Sequence, residues 1–137
     1  MKIMRALAQF IVLFMIWVPC FGQNLIGHDV KYIKKYMAEN RIEMNPEKVT
    51  NMKFSYLKYS DNSGSQTILF FLGSDSVCKG ERLIIDQRLK SEKIKEFNSV
   101  YKKKGENTWI DSRDGRNIVI QINDEAWTSI VTIVPEK

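Results

Sequence analysis

The stretch Gln66–Asp86, QTILFFLGSDSVCKGERLIID, decides how the rest of the chain is read. It carries the apolar run Ile68-Leu69-Phe70-Phe71-Leu72, a Gly-Ser-Asp-Ser turn, and a second apolar run Leu83-Ile84-Ile85. Two strand-length apolar runs bounded by turn residues predict the two innermost strands of a sheet. Strands that are apolar on both sides need cover on both faces, from the protein itself or from a partner. The flanking sequence is therefore expected to supply further strands and covering helices.

Before this stretch, Met52–Tyr59 alternates aromatic and polar residues, as a half-buried strand does. The cluster Ser60-Asp61-Asn62-Ser63-Gly64-Ser65 then joins it to Thr67–Leu72 as a hairpin. The third strand is expected from Val77 to Asp86, bulged at Gly80. Nearer the N-terminus, Asp29 is a suitable cap for a helix of about three turns, with Val30, Ile33 and Met37 on one face and Lys31, Lys34 and Lys35 on the other. Arg41–Asn51, with Asn45-Pro46, reads as a loop.

After Asp86 a second helix is expected, capped by Ser91, apolar at Ile94, Phe97 and Tyr101, and closed by Gly105. Asn98 falls on that apolar face and is expected to bond to backbone. Thr108–Asp111, Asn117–Ile122 and Ala126–Val134 then read as three strands separated by turns. The expected order is α-β-β-β-α-β-β-β. This is an α+β fold with two helices packed on one face of a mostly antiparallel sheet, because short turns cannot make parallel crossovers. Ile33-Lys34-Lys35-Tyr36 resembles Ile94-Lys95-Glu96-Phe97 at an offset of 61, a faint trace of an internal repeat.

Residues 1–22 have the layout of a secretory signal: Lys2 and Arg5, an apolar centre from Ala6 to Val18, then Pro19-Cys20-Phe21-Gly22. The apolar centre is shorter than the ~20 residues that span a bilayer. Cleavage is expected after Gly22, leaving residues 23–137 as one exported domain, periplasmic or secreted. A lipid anchor on Cys20 is the weaker reading, because Pro19 and Trp17 stand where such signals carry small residues and Leu. Loss of Lys2 and Arg5 takes the formal charge from +5 to +3. One cysteine would remain, Cys78, so packing rather than a disulfide must hold the domain. Its position at the start of a strand favours a buried thiol; the alternative is a reactive one.

Few chemistries find their residues here. His28 is the only histidine, and no G-x-S-x-G or cysteine-protease signature accompanies it. One His and one mature Cys do not make a zinc site, and Asp111-Ser112-Arg113-Asp114-Gly115 fails as a calcium loop because Arg113 occupies a ligand position. No catalytic, cofactor or metal residues are assigned. Asp61, Asp75, Asp86, Asp111 and Asp114 lie in or beside turns, where Asp serves local backbone bonding. Lysines on the two helices read first as a solvated surface, and export argues against a nucleic-acid partner.

The exit Phe21-Gly22-Gln23, Ile26-Gly27 before a helix, and Tyr56-Leu57-Lys58-Tyr59-Ser60-Asp61 followed by an apolar strand and a lone Cys78 resemble small Sec-exported α+β proteins of Bacteroidota. In layout the chain also resembles PepSY-like and BLIP-like modules, and that resemblance implies a binding or inhibitor role. The expectation is a non-catalytic binding domain acting on another envelope or extracellular protein or polymer, without a membrane anchor. The alternatives are an envelope enzyme using turn carboxylates and a lipid-anchored envelope component. The sheet face away from the helices should bear part of the aromatic set. The expected partner surface comprises Tyr56, Tyr59, Trp127, Lys34 and Lys95, although Trp109 and Trp127 taken singly read as core.

Overall fold

The computed structural model describes residues 24–49 and 55–137. The expected signal segment, Cys20, Gln23 and the start of the strand at Met52–Phe54 lie outside the described residues.

Helix α1 spans Val30–Asn40, and the Asp29 carboxylate accepts from the Tyr32 N–H at 2.8 Å to cap it. Strands β1 (Met44–Glu47), β2 (Tyr56–Asp61), β3 (Gln66–Leu72) and β4 (Cys78–Asp86) follow as an antiparallel meander. A 3-10 turn, Gln87–Leu89, leads into α2 (Lys90–Val100). A second meander follows: β5 (Lys102–Gly105), β6 (Thr108–Asp111), β7 (Ile118–Asp124) and β8 (Thr128–Pro135). The eight strands form one sheet in the order β1-β2-β3-β4-β8-β7-β6-β5. The chain is thus α-β-β-β-β written twice, and the two meanders meet where β4 pairs with β8, Leu83 opposite Val131.

The α+β class and the helix-covered antiparallel sheet agree with the sequence reading, but two strands were missing from it. β1 lies in the expected loop and contains Pro46; β5 replaces the expected end of the second helix and contains Lys102, Lys103 and Lys104. Both are the outermost strands. A proline or a run of lysines weakens a strand's own signal, yet these are the residues that discourage an edge from pairing with another chain. Helix α2 also starts earlier than Ser91, follows Leu89 without a side-chain cap, and ends at Val100, so Gly105 closes a strand instead. The bulge expected at Gly80 sits beside it: Phe71 pairs with Gly80 and Leu72 with Cys78, leaving Lys79 as the extra residue.

One face of the sheet carries the core. Ile68 and Phe70, Leu83 and Ile85, Val131 and Ile133, Ile118, Ile120 and Ile122, and Trp109 alternate inward and pack with Ile33 and Met37 of α1 and Phe97 of α2. Trp109 is fully buried, edge-on to Phe97 with ring centroids 5.3 Å apart, and its indole N–H donates to the Asn98 side chain at 2.9 Å. Asn98 is therefore held by an indole and not by backbone, and it stands on an exposed part of α2.

Candidate functional site

The opposite face of the sheet has no helix on it among the described residues. Register fixes its occupants, because alternate residues share a face. Tyr56 pairs with Phe71, Leu69 with Arg82, Ile84 with Ile130, Val134 with Val119, and Val119 with Ile110. These side chains are half-buried by their own neighbours, apart from Arg82 and Val134, which are exposed. Near the middle, the Arg82 guanidinium lies 5.7 Å from the centroid of the Phe71 ring, and Tyr56 tilts against that ring at 6.2 Å. Arg82 forms no ion pair among the described residues, whereas the acids bordering this face are matched: Glu47 with Lys58 at 2.8 Å and Asp86 with Arg88 at 3.1 Å. The result is a mixed face: the apolar residues are interleaved with Lys58, Ser60, Thr67, Thr132, Gln121 and Asn123, and Arg82 stands near its centre as an unmatched cation.

The five expected partner residues do not form one surface. Tyr56 is on the open face. Tyr59 faces the helices, 5% exposed and edge-on to Phe70, so its expected place on an accessible partner surface is corrected. Leu57 and Tyr59 are two positions apart, and both turn inward with Ile68 and Phe70. Lys34 lies on the helix side and shares a cleft with Tyr59. Lys95 stands exposed on α2. Trp127 is not core: it is 86% exposed. It lies in the two-residue Ala126-Trp127 turn, closed by the Glu125 N–H donating to the Thr128 carbonyl at 2.8 Å, so the strand begins after it. Phe71, Arg82, Ile84, Ile130 and Val119 are the open-face residues that the sequence reading passed over. A count of alternate positions on either side of Phe70 and Leu83 would have found them.

A second cluster of polar residues lies beneath the segment Asn24–Asp29. The Leu25 N–H donates to Glu81 Oε1 at 2.5 Å, and the Asn24 side-chain amide donates to Asp111 Oδ2 at 2.9 Å. Leu25 and Ile26 are buried, Gly27 N–H donates to the Cys78 carbonyl, and Arg116 donates to the Ile26 carbonyl. Gly27 has φ +88°, and a Cβ there would come within 2.6 Å of the Arg116 guanidinium, so this position requires glycine. Burial pushes the Glu81 carboxyl up to about 7, against the smaller opposing effects of the Leu25 N–H and the Arg41 charge. Burial also acts on Asp111, but hydrogen bonds from Arg113 and Asn24 outweigh it and hold that carboxyl below its ordinary value. Two buried carboxyls thus lie beneath one segment, Glu81 accepting from the Leu25 N–H and Asp111 from Asn24 and Arg113.

The only histidine and the thiol also come close through the backbone, since the Cys78 N–H donates to the His28 carbonyl at 2.8 Å. Their side chains do not cooperate. The His28 ring stacks on Tyr32 at 3.9 Å, while the Cys78 thiol is fully buried and donates to the Gly80 carbonyl. Burial pushes that thiol up to about 12, the opposite of what a nucleophile requires. Iodoacetamide at pH 8 should therefore leave Cys78 unmodified in the native protein and alkylate it in denaturant, as read by peptide mass. Rapid native alkylation would contradict its burial. Among the described residues no cluster of His, Cys, Asp and Glu could hold a metal ion. No described helix is long and apolar enough to cross a membrane.

No protein-family model, curated protein or solved structure matches this chain.

Proposed function

We propose that this chain is an exported, non-catalytic binding domain whose uncovered sheet face captures another folded protein of the envelope or extracellular space. The observation that carries this reading is a helix-free sheet face on which Tyr56, Leu69, Phe71, Ile84, Ile130 and Val119 are interleaved with polar side chains around an unmatched Arg82. Eight strands about 4.8 Å apart and roughly 20 Å long present on the order of 700 Å². That approaches the ~800 Å² per partner of a stable protein interface, and a face of this extent suits a macromolecule better than a small ligand.

Arg82 also indicates what kind of protein. It lies on β4 opposite Thr132 of β8, the two middle strands, so a second copy laid face to face on a two-fold axis would bring two guanidiniums together. A different protein, with an apolar patch and a carboxylate opposite Arg82, fits the face instead. The test is affinity capture with purified wild-type domain and three folded variants, followed by measured binding of the captured partner. Ile130→Asp should abolish binding, Arg82→Glu should weaken it at least about tenfold, and Lys95→Glu on the helix side should leave it unchanged. Binding that survives Ile130→Asp, or that is lost with Lys95→Glu, would remove the open face as the interface.

A further inference from the structure

On the helix side of the sheet, away from the open face, α1 and β1 border a half-open cleft of about 330 Å³ lined by Lys34, Ala38, Met44, Pro46 and Tyr59. We propose that this cleft binds a small amphipathic carboxylate, with Lys34 meeting the charge and the remaining walls holding the hydrocarbon.

The local structure explains both the shape and the polarity. Lys34 and Ala38 are one turn apart on α1 and so share a side of the helix. Ala38 ends at Cβ, which leaves space where a longer side chain would fill the seam. Met44 and Pro46 are two residues apart on β1 and share a face, and Pro46 pairs with Tyr59 in register. Met44 and Tyr59 are buried and form an apolar floor. The Tyr59 hydroxyl, perturbed upward by burial alone, is a polar group set within that floor.

The charge selects the occupant. Lys34 forms no ion pair among the described residues, a condition it shares with Lys31, Lys35, Lys48, Lys95, Lys102, Lys103 and Lys137, and of these it is the one that lines the cleft. A lysine presents one compact charge with three donors, enough to meet a single carboxylate. A bare phosphate or sulfate would find one cation amid hydrocarbon where such ions are ordinarily held by several donors. The volume accommodates about ten groups at roughly 30 Å³ each, the share a water takes in the liquid. This corresponds to a medium-chain or aryl carboxylic acid. Because the cleft and the open face lie on opposite sides of the sheet, the two sites are independent.

The test is an amide-resolved NMR titration of the full chain with sodium octanoate, with octanol as the uncharged match in tail length. Octanoate should shift the Ala38, Met44 and Tyr59 amides saturably and bind at least about tenfold more tightly than octanol. Lys34→Gln should bring octanoate down to the octanol level, and Lys34→Arg should largely retain the preference; spectra unchanged elsewhere would show that both variants fold. The proposal is overturned by the absence of saturable shifts at these amides up to about 10 mM octanoate, by equal affinity for octanol, or by shifts confined to Phe71 and Ile130 on the other face.

Discussion

Truncating Trp109 to Ala is expected to lower unfolding stability by about 3–5 kcal/mol, read as a fall in the urea midpoint at unchanged slope. Trp109 is fully buried on β6, packs edge-on against Phe97 of α2, and faces Ile120 across the sheet. Removing the indole leaves a cavity at the point where the second helix is fastened to the second meander. It also deprives Asn98 of the N–H that it accepts. Trp109→Phe should recover most of the loss, since a ring remains against Phe97 and only the exposed Asn98 amide goes unpaired. Trp127→Ala, removing an equally large side chain from an exposed turn, should change stability by less than about 0.5 kcal/mol. A loss below about 1.5 kcal/mol for Trp109→Ala would mean that this side chain does not anchor α2.

Glu81→Gln should stabilise the protein at pH 8 and have little effect at pH 4. The Glu81 carboxyl is raised from 4.5 to about 7 by burial between Phe70 and Ile133. Between those two values the unfolded chain has lost its proton while the folded chain still holds it, so stability falls as pH rises across this window. At about 1.4 kcal/mol per pH unit, the penalty at pH 8 amounts to roughly 3 kcal/mol. Glutamine keeps an oxygen for the Leu25 N–H without bearing charge. The acids held below their ordinary values, among them Asp75, Asp86 and Asp124, act in a separate window: they stabilise above their unfolded pKa values and lose that contribution as pH falls. The measurement is the variant-minus-wild-type stability at pH 4 and pH 8. An equal difference at both would show that Glu81 does not titrate between them in the native state.

The interior of this fold is written in the sequence where the apolar alternation is long. β3, β4 and β7 announce themselves through Ile68, Phe70, Leu83, Ile85, Ile118, Ile120 and Ile122, and α1 through Asp29, Ile33 and Met37. The edges are silent, because β1 and β5 bury almost nothing and their composition opposes pairing. Trp127 misled for a different reason: alternation continues formally from Ser129 back through Trp127, but the chain has already turned. Tyr59 was placed with Leu57 correctly, yet which of the two sheet faces the helices cover cannot be read from β2 alone. Glu81 is the opposite case. It alternates with Leu83 and Ile85, so its inward position was legible, but a count restricted to apolar residues ignored it.

The junction between β4 and β8 has a consequence for how the chain acquires its shape. Within each meander every strand pairs with its neighbour in sequence, but Leu83 and Val131 are joined across the whole second meander. Local hairpins close quickly, whereas a long-range seam must wait for both halves to assemble. During synthesis, the first half can order while the β4 edge, with Leu83, Ile84 and Ile85, still lacks its neighbour. That interval is the chain's period of greatest exposure to pairing with another copy. Lysines and a proline protect the two permanent edges; the temporary one is protected only by the arrival of β8.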